Sequence, residues 1–393
     1  MLKNTFILVF LSIFLISCQT GKEDLKKFTD DYVQITQTLK EKMKNVKKRD
    51  EFTAFNEEKT KEYENLLKKY EESPNLDGIE ILRSKILLEL GKMDEAEPKI
   101  DKVLAGKPDA INEAKMIKIN ILIKKQKYTE AFDIFKEIES EVKDPDDLYN
   151  AYFYFALLHE DNRVKKQYSN KFLNASDLPE GQAKNRYFMY SNLAKVATLE
   201  SDLDKAREIL KQGIADTTEE RPKLSLEKQM GQLDFIGKKA IPLNANHWIN
   251  SSPLQLTDLK GKAVVVYFWA PWCPPCRVLL PTIVEEYNKY KNQGFMVIGI
   301  TKLTGKYEDD EVDKGQVSEE EELKLIKKYM ERKNVTFPVV VAKVNDRADL
   351  NNYKITGIPT QIFINKQGMC DFITSGSGNI PFLKERIKSM LAE

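Results

Sequence analysis

Apolar residues recur along this chain at two different spacings. From residue 22 to about residue 230, leucine, isoleucine, alanine and aromatic residues return every three or four positions, and glycine is sparse. This spacing gathers apolar side chains on one face of a helix, so it predicts an all-α segment. From about residue 233 onward, short β-branched runs alternate with helical stretches, which predicts an α/β domain.

A faint repeat is visible within the helical segment. Residues 90–96 are echoed by residues 125–131, 35 positions on, and by residues 200–206, a further 75 positions on. The intervening unit would be residues 160–167, which is degenerate in sequence. A period near 34 residues, with an alanine opening the second helix of each pair, resembles tetratricopeptide repeats. Such repeats form a curved array that binds peptides or protein segments. A plain helical bundle or a simple spacer is the alternative.

Three short apolar runs predict strands of the α/β domain, at residues 263–268, 295–301 and 337–341. Their β-branched and aromatic residues are typical of strands buried in a sheet. We expect a hairpin around residues 243–256 before them. Two more strands and a closing helix over residues 380–391 are expected after them.

An acidic insertion at residues 302–316 separates the second of these strands from the next helix. It lacks the alternating ligands and central glycine of an EF-hand, so a solvated loop or a partner-selective surface is the expectation rather than a calcium site. The helix after it opens with a capping box from Ser318 to Glu321.

Cys273 and Cys276 flank two prolines at the point where a strand pattern gives way to a helical pattern. Free backbone N–H groups and the helix dipole stabilise a thiolate there, and can lower its pKa from about 8.5 to about 7 or below. We therefore predict a reversible disulfide, with Cys273 as the nucleophile. Cys276 lies one turn inside the helix and is expected to be more buried, so that it resolves the mixed disulfide.

Two other uses of a cysteine pair need consideration. A structural disulfide would close a very short and strained loop, and strained disulfides are the labile ones. A zinc site needs four ligands, and no second paired spacing supplies them, so no metal and no other cofactor is predicted. The remaining candidate ligands are Cys18, Cys370, His159 and His247.

The region from about residue 235 to the C-terminus resembles the thioredoxin-like thiol-disulfide oxidoreductases of the TlpA/ResA type. Residues 266–277 follow the active-site signature of that family, and Pro281 falls where thioredoxin folds kink the active-site helix. Residues 357–360 match the loop that carries the cis-proline of the fold. The resemblance implies that Ile358 and Pro359 hold the backbone of a substrate beside the cysteines. Trp272, within the signature, is expected to contact substrate as well.

Three positions depart from related patterns. Leu279 stands where the cytochrome-maturation members carry a glutamate, which weakens that role. Tyr267 replaces the buried aspartate of thioredoxins, so the proton acceptor stays unassigned. Ala270 stands where the peroxiredoxins carry a threonine, which disfavours a peroxidase.

The N-terminus predicts export. Lys3 supplies a positive n-region, residues 6–16 form an apolar h-region, and residues 15–18 resemble a bacterial lipobox that leaves Cys18 as the lipid-modified first residue. The apolar stretch is shorter than the roughly 20 residues a bilayer requires. An uncleaved anchor is the alternative, and it would place most of the chain on the same side. Gln19 is not the aspartate that retains lipoproteins at the inner membrane, so in a cell with two membranes we expect an outer-membrane anchor facing the periplasm.

The charge of the chain argues against nucleic-acid binding, and the remaining cysteine has a structural explanation. The formal net charge of +1, from 62 basic and 61 acidic residues interspersed along helices, gives no basis for nucleic-acid binding. Cys370 lies in an apolar stretch and is expected to act as a small hydrophobe in a sheet, with a reactive or resolving role as the alternative.

Four segments are therefore predicted: a signal peptide at residues 1–17, an anchor and helical stalk or hairpin at 18–75, helical repeats at 76–232, and a thioredoxin-like α/β domain at 233–393. The leading hypothesis is an envelope oxidoreductase that reduces protein disulfides with electrons from an envelope donor. The alternative is a helical-repeat adaptor with an accessory or vestigial redox domain.

Overall fold

The computed structural model describes residues 3–74, 76–106, 108–243, 247–342, 353–355, 357–377 and 380–393. Two compact units are present, Met1–Ala151 and Tyr152–Glu393. The division falls within one helix of the predicted repeat segment.

The first unit is helical. Its helices are α1 (Lys3–Lys44), α2 (Arg49–Lys69), α3 (Asp77–Glu89), α4 (Met93–Ala105), α5 (Ile111–Lys124), α6 (Tyr128–Ile138) and the start of α7 (Pro145–Leu158). Helices α1 and α2 pack with α3 around a buried cluster that includes Phe28, Leu66 and Ile86. The charged N-terminal segment therefore forms a packed helical hairpin in this unit, the second of the two forms expected for it.

The second unit begins with helices. They are the end of α7, then α8 (Asn162–Leu173), α9 (Glu180–Ala183), α10 (Arg186–Leu199), α11 (Leu203–Asp216) and α12 (Glu220–Gln232). No helix among the described residues is long and apolar enough to cross a bilayer.

One turn recurs between paired helices. Gly91 after α3, Gln126 after α5 and Ser201 after α10 adopt left-handed φ angles of 72°, 61° and 63°. In each turn the following N–H reaches back to a carbonyl five residues earlier, at 2.8–2.9 Å. This pattern is the Schellman motif, which satisfies carbonyls left free at a helix end.

The fourth residue of the helix after each of these turns is a fully buried alanine. These residues are Ala96, Ala131 and Ala206. A methyl group at this position lets the paired helices approach closely, as the repeat pattern predicts. In the degenerate unit, the fourth residue of α8 is instead the buried Lys165.

A six-stranded mixed sheet forms the centre of the α/β region. Its strands are β1 (His247–Ile249), β2 (Ala263–Phe268), β3 (Phe295–Lys302), β6 (Val339–Ala342), β7 (Thr360–Ile364) and β8 (Cys370–Ser375). The order is β1-β6-β3-β2-β7-β8, with β2, β3 and β6 parallel and the other pairs antiparallel. All six residues of β2 are buried because it lies inside the sheet with apolar clusters on both faces.

Helices α13 (Pro274–Tyr290), α14 (Glu319–Arg332) and α15 (Ile380–Ala392) complete this region. The predicted N-terminal hairpin is wrong: β1 pairs with β6, and residues Leu256–Leu259 form a 3₁₀ turn. The pairing with a distant strand could not be read from local alternation, and residues 244–246 lie outside the described part.

The acidic insertion folds into a separate hairpin of β4 (Lys306–Glu308) and β5 (Asp313–Gln316). Asp309 is buried and accepts hydrogen bonds from the Tyr307 hydroxyl and from the N–H groups of Glu311 and Val312. Arg332 pairs with the same carboxylate at 3.0 Å. The expectation of a solvated loop therefore fails for Asp309, whose carboxylate closes the hairpin onto α14.

Candidate active site

The cysteine pair lies at the junction of β2 and α13. Cys273 is the N-cap residue of α13, and Pro274 and Pro275 occupy the first two helical positions. Proline is tolerated there because those N–H groups have no partner within the helix. The local sequence therefore ends the strand, caps the helix and places both sulfurs in its first turn.

Cys273 and Cys276 form a disulfide, with their Cα atoms 5.2 Å apart. The backbone N–H of Cys276 donates to Cys273 Sγ at 3.3 Å. This donor at the helix start is the kind of group that stabilises a thiolate when the pair is reduced. The structure thus brings together the two residues that the spacing singles out.

The loop before β7 lies against the first sulfur. The Ile358 carbonyl oxygen is 3.6 Å from Cys273 Sγ, and the Ile358–Pro359 peptide bond is cis, as expected. Thr360 Oγ1 donates to the Gly357 carbonyl at 2.8 Å and lies 2.8 Å from Ser375 Oγ. These two contacts tie the loop to the start of β7 and the end of β8. The Ile358 carbonyl is therefore held beside the disulfide.

An apolar surface adjoins the disulfide. Cys273 and Cys276 are only 3% and 1% exposed, whereas Trp272 is 41% and Val278 61% exposed. Exposed apolar side chains beside a reactive group can contact a partner. Sequence reasoning missed Val278, because its place on the open face of α13 depends on the packing of that helix.

Tyr267 lies behind the second cysteine. Its hydroxyl donates to the Cys276 carbonyl oxygen at 3.0 Å, and its ring stacks on Trp269. Burial raises the pKa of the Tyr267 phenol. Tyr267 therefore holds the first turn of α13 as a neutral donor and does not replace the aspartate of thioredoxins as a base.

Close packing beneath this site requires a glycine. A Cβ on Gly299 of β3 would lie within about 3.0 Å of the Trp269 indole nitrogen and the Phe337 ring. A side chain at this position would displace the indole or the Phe337 ring.

Cys370 packs in a different apolar cluster from the cysteine pair. Cys370 is buried in β8, and burial together with the nearby Asp371 raises its pKa to about 12. Among the described residues, no group of three or more His, Cys, Asp or Glu side chains is arranged to hold a metal ion. The side chain of Cys18 lies outside the described part of the chain.

A disulfide at the start of the helix after β2, facing a cis-proline loop, defines a dithiol protein of the thioredoxin fold. Residues 236–373 match the AhpC/TSA family. The thiol-disulfide oxidoreductase ResA of Geobacillus thermodenitrificans is 30% identical over 138 residues, which are 35% of this chain and 67% of that protein. The chain belongs to the family of thioredoxin-like thiol-disulfide oxidoreductases that includes ResA.

Other relatives show similar partial coverage. ResA of Oceanobacillus iheyensis is 32% identical over 33% of this chain and 57% of its own length, and ResA of Bacillus subtilis is 28% identical over 33% and 61%. The chain thus spans about three-fifths of the length of these curated relatives. A thiol:disulfide interchange protein of Chlorobium tepidum is 28% identical, with a TM-score of 0.31 over 39% of this chain and 95% of that structure.

Proposed function

We propose that this chain is a lipid-anchored thiol-disulfide oxidoreductase of the bacterial cell envelope that reduces disulfides in other envelope proteins. The observation that carries the proposal is the Cys273–Cys276 disulfide at a helix N-terminus, beside exposed apolar side chains and a fixed backbone carbonyl. The backbone N–H groups of the first helical turn stabilise the thiolate that leaves when an incoming thiolate attacks such a disulfide.

The proposed cycle starts from the reduced pair. The Cys273 thiolate attacks one sulfur of a substrate disulfide, whose S–S bond breaks as a mixed disulfide forms and one substrate thiolate leaves. Cys276 then loses its proton and attacks Cys273 Sγ, which releases the second substrate thiol. Two electrons pass to the substrate, and the chain is left with the disulfide described above.

Substrate recognition would use the surface around the pair. Trp272 would contact the side chains of the substrate, and the cis-proline loop at Ile358 and Pro359 would lie along its backbone. The position of the Ile358 carbonyl near Cys273 Sγ supports this arrangement. Backbone contacts of this kind accept many sequences, since they do not depend on particular side chains.

The proposed direction of electron flow rests on the resemblance, and the proposed location rests on the N-terminal sequence. Relatives named thiol-disulfide oxidoreductase support exchange with protein thiols. The lipobox-like residues 15–18 support acylation of Cys18, and Gln19 favours the outer membrane. An envelope dithiol donor would return electrons to the pair after each turnover.

Trapping tests the exchange mechanism. Cys276→Ser should accumulate mixed disulfides between Cys273 and envelope proteins, because the resolving thiolate is missing. Cys273→Ser should form none and should reduce a model protein disulfide no faster than the uncatalysed reaction. Non-reducing gels and mass spectrometry identify the adducts, and Cys370→Ala serves as the control that should retain activity. If Cys273 and Cys276 fail to interconvert as one two-electron couple in graded dithiol buffers, the proposal is wrong.

A second candidate function is a helical-repeat adaptor. The three equivalent turns, each followed by a buried alanine, favour it because they are repeated structural units. An adaptor would capture the same partners from an envelope extract when Cys273 and Cys276 are both replaced by serine. If the chain is an exchange enzyme, the double serine variant would no longer capture the partners that the wild type holds through mixed disulfides.

A further inference from the structure

A cavity of about 270 Å³ lies inside the second unit, between α8 and α10 on one side and the β7–β8 and α15 region on the other. Its apolar lining includes Leu157, Val196, Leu199, Phe372 and Leu383. The volume is slightly below the range of about 300–1,000 Å³ for pockets that hold drug-sized ligands. The cavity therefore suits a small molecule.

The polar groups in this cavity include an unusual concentration of donors. Lys165 is 5% exposed, and Lys195 lies on the neighbouring helix and also lines the cavity. Neither ammonium forms an ion pair with any carboxylate in the described ranges of the chain. Glu160 and Glu385 raise the pKa of Lys165 only through longer-range electrostatic attraction, with no hydrogen bond to it. Buried lysines are normally paired, because transfer of a charge out of water is costly.

A third donor comes from the sheet. Gln361 of β7 is 3% exposed and lines the same cavity, and its Nε2 has no hydrogen-bond partner. A buried amide without a partner destabilises the fold relative to a bonded one. Two lysines and a glutamine with an unpaired amide nitrogen thus line one partly apolar space.

Lys165 also stands where the helical repeats carry alanine. Ala96, Ala131 and Ala206 occupy the equivalent fourth position of α4, α6 and α11 and are fully buried. An alanine would satisfy the packing of α8 at no electrostatic cost. Packing alone therefore does not account for a lysine at this position.

The electrostatic cost is visible in both lysines. Burial and the nearby Lys195 lower the pKa of Lys165. Lys195 keeps part of its surface exposed, yet the protein around its ammonium is dense enough to lower its pKa as well. An anion between the two groups would offset this penalty.

We propose that this cavity binds a small carboxylate that carries a short aliphatic chain. The carboxylate accepts hydrogen bonds from Lys165, Lys195 and Gln361, and the chain packs against the leucine and phenylalanine side chains. Leu279 of α13 and Ser375 of β8 also line the cavity. The proposal rests on Lys165, Lys195 and Gln361, and it stands whether or not Cys273 and Cys276 form a catalytic pair.

Titration calorimetry with sodium octanoate tests the site on the full-length chain. Octanoate should bind with one-to-one stoichiometry, and Lys165→Ala should weaken it about 10- to 100-fold, because a charge-assisted hydrogen bond is lost. Lys166→Ala is the matched control: Lys166 is the next residue of α8, pairs with Glu200 at the surface, and should leave binding unchanged. Lys165→Ala should fold, since alanine is the residue of the other repeats.

Comparison ligands decide the chemical class. Octanol should bind much more weakly than octanoate, and inorganic phosphate should not bind. Equal affinity for octanol, or phosphate binding without octanoate binding, would overturn the assignment. The same holds if octanoate shows no saturable heat, or if Lys165→Ala binds as well as the wild type. Should Lys165→Ala fail to fold, Lys195→Met supplies the same test with most of the side-chain volume kept.

Discussion

Cys276 in α13 and Cys370 in β8 are both only 1% exposed, yet their surroundings are opposite. Cys276 is bonded to a sulfur that receives a backbone N–H and lies near exposed apolar groups. Cys370 packs among apolar side chains such as Tyr353 and Ile362, and burial and Asp371 oppose its ionisation. Equal burial therefore does not give the two sulfurs equal environments. The donors and neighbours around the sulfur decide its reactivity.

The largest expected effect is on the alkylation rate of Cys370 compared with an ordinary free thiol. With the Cys273–Cys276 pair oxidised, iodoacetamide at pH 8 should modify Cys370 about 10³-fold more slowly than a free thiol with a pKa near 8.5, because a pKa of about 12 leaves few thiolates. Peptide mapping by mass spectrometry measures the rate. Cys370 in the denatured chain is the control and should react fully.

The same shift has a consequence for stability. The unfolded chain ionises this thiol near pH 8.5, whereas the folded chain keeps it neutral up to about 12. The contribution of the Cys370 thiol to the free energy of unfolding is therefore fully present below pH 8.5 and declines as the pH rises toward 12. Rapid labelling of native Cys370 at pH 8 would contradict both statements.

A smaller effect is expected from substitution of Cys370. Cys370→Ser should lower the free energy of unfolding by about 1–3 kcal/mol, since it buries a hydroxyl in an apolar cluster. Denaturant unfolding gives the value, and Cys370→Ala, which adds no polar group, should cost less. A serine variant as stable as the wild type would show that β8 offers this position a partner.

The smallest effect concerns the surface beside the reactive pair. Trp272→Ala should raise KM for a protein disulfide several-fold, about 1 kcal/mol, because a large exposed aromatic contact is removed. Leu224→Ala is the control, because Leu224 of α12 is similarly exposed and should leave KM unchanged. An unchanged KM in Trp272→Ala would remove this surface from substrate binding.

The sequence predicted the local elements of the site well. The apolar run at residues 263–268 is β2, the helical pattern after Cys276 is α13, and Ser318 caps α14 by accepting from the Glu321 N–H. Each of these features depends on neighbours in the sequence. Period, capping and spacing carry enough information for them.

Features that depend on distant residues were missed. The pairing of β1 with β6, the burial of Asp309 against Arg332, and the exposure of Val278 all follow from tertiary packing. The position of Lys165 at an alanine site could be suspected from the degenerate repeat, but its place in a cavity could not. The local sequence around a residue does not predict which distant side chains it contacts in the fold.

Tyr267 has a consequence for the proton balance of the reaction. Its phenol braces the Cys276 carbonyl from the interior side and stays neutral, so that side provides a rigid support rather than a route for hydrogen ions. The hydrogen ion that Cys276 must shed to close the ring would then leave toward the solvent or toward the departing half of the client.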